Sequence, residues 1–233
     1  MNEAFDKLVA EAPYGLTEEV APGVRRVLAR NPSPFTFTGT GTYIVGKGTV
    51  AIIDPGPADP RHIAAVAAAV AGETVSHFVI THTHMDHSPA AGPLKAQLGG
   101  LIAGCAPLAL ADDGPRADAG FDPDYAPDLV LADGDRLRGP GWTLAAVHTP
   151  GHTSNHLCFA LEQQRILFTG DHVMGWSTTV VAPPDGDMAA YMRSLSLLLE
   201  RNDRLYLPTH GPAVEEPQRF VRGLIAHRRQ REA

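Results

Sequence analysis

The most informative stretch of the sequence is 81–87, which reads THTHMDH and directly follows the apolar run VSHFVI. That run has the β-branched and aromatic residues of a short buried strand, so the polar stretch lies at a strand's carboxyl end. Side chains alternate along an extended segment, and His82 and His84 therefore point the same way. Asp86 and His87 come just beyond, where the chain must turn. Imidazole nitrogens and carboxylate oxygens bind zinc well, so this one loop offers ligands to two neighbouring metal positions.

Three further residues of ligand type each come first after a predicted strand. They are His152 in TPGHTSNH, Asp171 in FTGDH and His210 in LPTHG. Because each follows a strand, we expect them to converge on one edge of a layered sheet. A polar strand end whose histidines only form hydrogen bonds is the alternative, but five histidines and two aspartates in this pattern favour a site for two metals. The absence of cysteine among them separates the site from structural thiolate zinc.

The rest of the chain predicts alternating strands and helices, which indicates an α/β layered fold. Strands are predicted at 23–30, 36–45, 49–53, 101–105, 129–131, 142–148, 156–161, 165–169 and 205–207, and helices at 59–71, 89–98, 188–201 and 217–233. The glycines of GTGTYIVGKG, at 39–48, suit either a phosphate loop or hairpin turns. A strand rather than a helix follows them, which favours turns. Since no low-complexity linker interrupts the sequence, we expect a single domain over 1–233 that ends in the basic helix 217–233.

Composition excludes several classes of protein. A hydrophobic share of 44% with 19% charged residues is typical of a globular chain and not of a disordered one. The formal charge of −7 gives no general attraction to polyanions. No apolar run approaches the roughly 20 residues of a membrane span, and the acidic start lacks the features of an export signal, so we expect a cytoplasmic protein. Cys105 and Cys158 are interpreted as packing thiols.

The pattern HxHxDH, followed in order by TPGHT, TGD and PTHG, resembles the metallo-β-lactamase superfamily over nearly the whole chain. The resemblance implies that superfamily's αββα four-layer sandwich. It also implies a first metal held by His82, His84 and His152, a second held by Asp86, His87 and His210, and Asp171 bridging the two. Asp54 in IIDPG matches an aspartate that supports the histidine loop in the family.

The chemistry implied is hydrolysis at two metal ions, for which zinc is the expected identity, although iron or manganese also suits mixed histidine and aspartate ligands. A hydroxide shared by two metals would be the nucleophile, with Asp86 orienting it and taking part in proton transfer. We therefore predict a binuclear metal-dependent hydrolase acting on an ester, thioester or phosphodiester. A true β-lactamase is disfavoured, because the resemblance associates Asp171 with thioesterases and nucleases. A non-enzymatic metal-binding domain is also disfavoured, because every ligand type is present.

A narrower resemblance concerns NPSPFTFTGTGTY, TPGHTSNH, GDHVMGWSTTV and AHRRQRE. These segments are similar to a β-lactamase-like subgroup that includes single-strand endoribonucleases, with glyoxalase II-like thioester hydrolases as the other near relatives. Relatives commonly carry asparagine where this chain has Gly41, and many continue past the final helix into a winged-helix-like module, which we expect to be absent here. Single-stranded RNA is thus an alternative substrate. The final helix carries +4 and the rest of the chain −11, so charge gives RNA mixed support.

Two residues near the ligands and one acidic segment complete the candidate site. His156 is expected at the cleft, where it would hydrogen-bond substrate or a metal-bound group, although a histidine that starts a strand is more often structural. Trp176 is expected either to wall the substrate pocket or to be an ordinary core side chain. The acidic segment 112–128 is interpreted as a solvated loop or as a lid over the site.

Overall fold

Two β-sheets face each other in the computed structural model of the chain, which describes residues 3–108 and 120–231. The first sheet contains, side by side in chain order, β1 (Thr17–Ala21), β2 (Val24–Leu28), β3 (Gly41–Lys47), β4 (Thr49–Ile53), β5 (Thr74–Ile80), β6 (Leu101–Gly104) and β7 (Leu129–Val130). The second contains β8 (Arg136–Gly139), β9 (Trp142–His148), β10 (Leu157–Leu161), β11 (Ile166–Gly170) and β12 (Leu205–Pro208), in the spatial order β12-β11-β10-β9-β8. Strands β1 to β4 pair antiparallel, whereas β4 to β7 pair parallel. In the second sheet only β11 and β12 are parallel.

Helices cover the outer faces of both sheets. They are α2 (Pro60–Ala69), α3 (Ala91–Leu98), α4 (Met188–Glu200) and α5 (Pro217–Arg231). Helix α1 (Glu3–Glu11) buries none of its residues. Helices α2 and α3 contact the first sheet, while α4 and α5 pack together on the second. The start of α2 follows the sequence prediction, since the Asp59 side chain accepts a hydrogen bond from the Arg61 backbone nitrogen and Pro60 is the first helical residue. The layers are helix, sheet, sheet and helix, which confirms the predicted αββα sandwich.

Successive side chains of a strand point to opposite faces, and in β9 they belong to two different hydrophobic clusters. Leu144 and Ala146 belong to the large cluster between the two sheets. Ala145 and Val147 belong to the smaller cluster under α4 and α5. A strand buried on both faces needs apolar residues at successive positions, and the run LAAV supplies them. Burial of apolar side chains on both of its faces holds the second sheet between the first sheet and helices α4 and α5.

Polar loops lie where β4, β5, β9, β11 and β12 end. β9 and β11 are both antiparallel to β10, and β12 is parallel to β11, so their carboxyl ends share one edge of the second sheet. The carboxyl ends of β4 and β5 share an edge of the first sheet in the same way. Every sequence-predicted ligand follows one of these strands, which explains why the candidates converge.

Some predicted elements differ from those observed. The strand expected at 36–45 begins only at Gly41, because Asn31 closes the preceding loop: its side chain accepts from the Thr40 backbone nitrogen and donates to the Thr40 hydroxyl, both at 2.9 Å. The glycine-rich segment forms a hairpin, as favoured, with Gly48 at φ +74° between β3 and β4. Helix α1 and strands β1 and β8 were not predicted. Of the acidic segment 112–128, residues 112–119 lie outside the described part of the chain.

Two composition-based expectations concern thiols and membranes. Cys105 and Cys158 are both free and buried, as the packing interpretation requires. Among the described residues, no helix combines the length and apolar character needed to cross a bilayer.

Candidate metal centre

The loops after the strands bring the seven predicted ligands into two adjoining groups. One group contains His82, His84, His152 and Asp171, and the other contains Asp86, His87 and His210. Within each group, the candidate ligand atoms all lie within 4.8 Å of one another. Every one of the five histidines is buried. The sequence-predicted set therefore meets in space, although its members come from four separate loops.

The first group has the spacing of atoms that share an ion. His84 Nδ1 lies 2.9 Å from His82 Nε2 and 3.1 Å from His152 Nε2. Ligand nitrogens of a tetrahedral zinc site, each at 2.0–2.1 Å from the ion, are roughly 3.3 Å apart. Asp171 Oδ2 lies 3.7 Å from His152 Nε2 and completes the group. The donors fit a tetrahedral metal site.

The second group is built around two carboxylates. Asp86 Oδ2 lies 3.1 Å from His210 Nε2 and 3.6 Å from His87 Nε2. Asp171 Oδ1 lies 3.4 Å from both of these nitrogens. Asp171 thus directs one oxygen toward each group. Its Oδ1 and His87 Nε2 are buried atoms with no hydrogen-bond partner in the described residues, as expected for ligand atoms that await a cation.

Asp54 fixes the rings of His87 and His82 from behind. His87 Nδ1 lies 2.8 Å from Asp54 Oδ2, which can only accept, so the proton is on Nδ1 and Nε2 carries the lone pair. The Thr81 hydroxyl donates to the same oxygen at 2.8 Å and therefore accepts from His82 Nδ1, 3.0 Å away. The Thr209 hydroxyl donates to Asp54 Oδ2 as well, at 2.9 Å. Asp54 thereby turns two Nε2 lone pairs toward the centre, which is the support the resemblance implies.

Backbone carbonyls orient two more histidines. His152 Nδ1 donates to the carbonyl of Val180 at 2.6 Å, and His210 Nδ1 donates to that of Gly39 at 3.2 Å. A carbonyl oxygen only accepts, so Nδ1 of each ring carries a proton and Nε2 faces the centre. Four of the five histidines consequently direct Nε2 at the centre, the nitrogen that would bind a metal once it carries no proton.

The two groups differ in charge. Burial, together with the neighbouring His84, lowers the pKa of His152 to about 4, so this ring is neutral and its lone pair is available. Burial also acts to lower the pKa of His210, but the carboxylates of Asp171 and Asp86 outweigh it and raise the pKa to about 10. His82 and His152 of the first group are thus neutral donors, because burial lowers the pKa of both rings. In the second group the carboxylates of Asp86 and Asp171 raise the pKa of His87 and His210, and a bound cation would replace the proton on Nε2 of each ring. Both suit a divalent metal ion, and the residues present fit the metals that the family implies.

The two residues predicted beside the ligands take different positions. His156 is fully buried behind Asp171: it contacts the Thr149 hydroxyl through Nδ1 at 2.9 Å and accepts from the Asp171 backbone nitrogen at 3.2 Å. Both ring nitrogens are occupied by the protein, so His156 positions Asp171 instead of facing the cleft. A Cβ on Gly170 would lie 2.6 Å from His156 Nε2, and φ there is +51°, so only glycine allows this approach.

Trp176 lies at a groove beside the His210 loop. Its ring stacks on Phe37 with centroids 5.1 Å apart, and both rings line a groove of about 500 Å³ that also includes Thr209 and Gly211. Trp176 is half-buried and forms a wall of this groove. Its expected position at the substrate pocket stays a prediction.

Apart from Asp54, sequence reasoning missed the residues that orient the ligands. Thr81 and Thr209 each directly precede a predicted ligand, and that pairing of a hydroxyl with a histidine is the signal that would have suggested them. The carbonyls of Val180 and Gly39 leave no such signal, because every residue has one.

Comparison with known proteins agrees with this geometry. The model of the metallo-β-lactamase superfamily matches residues 36–210. An atrochrysone carboxyl ACP thioesterase from Cryptosporiopsis is 32% identical over 226 residues, covering 94% of this chain and 64% of the relative. A lactamase-like protein from Aspergillus niger is 33% identical over 220 residues, covering 92% and 63%. The chain thus spans somewhat less than two thirds of the length of these curated relatives.

Solved structures share the fold at lower identity. A β-lactamase domain protein from Burkholderia ambifaria superposes with a TM-score of 0.73 at 24% identity, covering 95% of this chain and 78% of that one. A metallo-β-lactamase family protein from Thermus thermophilus also gives 0.73, at 21% identity, covering 91% and 81%. The match of the family model over most of the chain, together with the converging ligand loops, leads to one conclusion. The chain belongs to the metallo-β-lactamase superfamily.

Proposed function

We propose that this chain is a metal-dependent hydrolase with a two-metal centre, and that its substrate is an acyl thioester. The observation that carries the proposal is Asp171, whose two oxygens face two separate groups of histidine ligands. A carboxylate in that position offsets the repulsion between two cations and fixes their spacing. Zinc is the proposed metal, with iron or manganese as the alternatives.

Two such ions, when bound, would lower the pKa of a shared water towards neutrality and polarise the substrate carbonyl. Asp86 has the position to handle the water's proton, because its side chain is 18% exposed, against 10% for Asp171. The carboxylate of Asp86 would hold the attacking water and accept its proton as the new C–O bond forms and the C–S bond breaks. A thiol has a pKa near 8.5, so it leaves as a thiolate without needing an acid of its own.

Two features support a thioester over the other substrates. Two relatives that match more than nine tenths of this chain, from Cryptosporiopsis and Aspergillus novofumigatus, are named atrochrysone carboxyl ACP thioesterases. The groove beside Phe37 and Trp176 offers an apolar surface next to the His210 loop, which would accommodate an acyl group. Single-stranded RNA and a non-enzymatic metal-binding role stay alternative predictions.

A substrate screen tests the proposal. Thiol release from short aliphatic and aromatic acyl thioesters is measured with metal-free protein and with protein reloaded with zinc. The matching oxygen esters, a β-lactam and a single-stranded RNA oligonucleotide are assayed in parallel. We expect thioester hydrolysis that depends on reloading and exceeds the hydrolysis of the other substrates. RNA cleavage without thioester hydrolysis would support the endoribonuclease alternative. Zinc binding with no turnover of any substrate would support a non-enzymatic domain.

A further inference from the structure

The arginines of α5 do not all face solvent. Arg219 pairs with Glu216 at 2.9 Å on the surface, and Arg229 is exposed. Arg228 instead turns inward: its Nη2 donates to the carbonyl of Thr179, and its guanidinium lies 5.5 Å above the ring of Tyr191 on α4. One cation of the basic helix is therefore committed to the loop that follows Asp171.

Thr179 connects this arginine to two of the candidate ligands. Its hydroxyl donates to the backbone carbonyl of Asp171 at 2.7 Å. The next carbonyl along the chain, that of Val180, accepts the 2.6 Å hydrogen bond from His152 Nδ1. Arg228 binds the carbonyl of Thr179, and His152 binds the carbonyl of the next residue, Val180. A shift of this segment would move the acceptor of His152 and the support of Asp171 together.

The ring under the guanidinium also backs the His152 loop. Gly151 precedes His152 and has φ +145°, and a Cβ there would lie 2.4 Å from Tyr191 Cα. Tyr191 is fully buried and packs directly beneath this turn. Arg228 thus contacts the segment 179–180 directly, and it contacts the turn at 150–152 only through Tyr191. Both segments determine where His152 points.

We propose that Arg228 is a positioning residue for the metal centre, acting through Thr179 on His152 and Asp171. The inference rests on the proposed metal-dependent function. It places the larger effect at the metal position that contains His152, since His87 and His210 are oriented by Asp54 and Gly39, which this contact does not involve, and only Asp171 is shared between the two positions. Partners that orient metal ligands typically contribute 10–100-fold to metal affinity.

The test is stepwise zinc titration of metal-free protein against a competing chelator, with a thermal melt of each metal-free variant. Arg228→Met removes the donor and keeps an apolar stem, and Arg229→Met is the matched control on the same helix. We expect Arg228→Met to bind one zinc about 10–100-fold more weakly than the wild type and the other with a smaller loss of affinity. Arg229→Met should bind both as the wild type does.

Two further variants separate positioning from packing. Arg228→Lys keeps a charge and a donor, so we expect its affinity to fall between those of the wild type and Arg228→Met. If Arg228→Met does not fold, the zinc affinity of Arg228→Lys is compared with that of the wild type instead. In a double-mutant cycle with Thr179→Val, which removes the hydrogen bond to Asp171, the combined loss of affinity should be smaller than the sum of the single losses.

Unchanged zinc affinity in Arg228→Met, with only its melting temperature lowered, would overturn the inference and leave the proposed function standing. A loss in Arg228→Lys as large as in Arg228→Met, or strict additivity in the cycle, would also overturn it. Wild-type protein that binds no zinc would overturn the proposed function, and this inference with it.

Discussion

Replacing Asp54 with asparagine tests how the centre is held, because the carboxylate accepts four hydrogen bonds in a fully buried position. Oδ1 accepts from the Thr81 backbone nitrogen at 2.9 Å. Oδ2 accepts from the hydroxyls of Thr81 and Thr209 and from His87 Nδ1, at 2.8–2.9 Å. Asparagine keeps the shape but replaces one acceptor with an NH₂ donor. If the amide oxygen takes the position of Oδ2, the NH₂ group faces the backbone nitrogen of Thr81. In the opposite orientation, the NH₂ group faces Nδ1 of His87.

Either orientation of the amide leaves a buried donor without an acceptor. An unsatisfied buried donor costs about 1–3 kcal/mol of unfolding free energy. At roughly 2–4 °C per kcal/mol for a chain of this size, the melting temperature should fall by roughly 2–12 °C. His87 can escape the clash only by moving its proton to Nε2, which removes the lone pair that a metal needs. We therefore expect the metal held by His87 to bind about 10–100-fold more weakly.

Thermal melts of metal-free protein and zinc titration measure the two effects separately. Asp59→Asn is the matched control, because Asp59 caps the exposed start of α2 and asparagine caps a helix equally well. That control should melt and bind zinc like the wild type. An Asp54→Asn protein with the wild-type melting temperature and wild-type affinity for both metals would refute the argument that Asp54 sets the tautomer of His87.

Three further predictions concern the carboxylates at the centre and one buried histidine. Asp171→Asn should lower the zinc content from about two equivalents towards one and abolish turnover, because two-metal catalysis needs a charge between the ions; two equivalents bound at wild-type affinity would show that Asp171 is no bridge. Asp86→Ala should abolish thioester hydrolysis while circular dichroism shows an intact fold, and near-native turnover would remove Asp86 from its assigned role. Burial lowers the pKa of His62 to about 4, against 6.5 for an ordinary histidine, so the unfolded chain takes up a proton first and stability is lost as pH falls from about 6.5 to 4. This contribution should appear as a difference of about 3 kcal/mol between the wild type and His62→Gln in the stability lost over that pH range, measured by urea unfolding, whereas equal pH profiles for the two proteins would contradict it.

Local chemistry allowed the sequence to predict much of this protein. The alternation of side chains along VSHFVITHTHMDH places His82 and His84 on one side of an extended segment, and that relation needs no knowledge of the rest of the chain. His152, Asp171 and His210 could be predicted because each comes first after an apolar strand, and parallel strands end at one edge. The family and the layered fold, both confirmed, follow from the same local signals. Helix α1 and strands β1 and β8 were missed because their patterns are short, and most of their residues are exposed or only partly buried.

Tertiary structure decided how the predicted residues work. The sequence places Asp171 after a strand, but only the folded chain directs one of its oxygens to each group of ligands. The acceptor for His210 is the carbonyl of Gly39, 171 residues away, and that for His152 belongs to Val180, 28 residues away. Arg228 belongs to a helix that the sequence shows only to be basic, yet its guanidinium donates to the backbone carbonyl of Thr179. Such contacts escape a reading of the sequence because backbone carbonyls are chemically alike at every residue, so only the packing of distant segments selects which one a side chain meets.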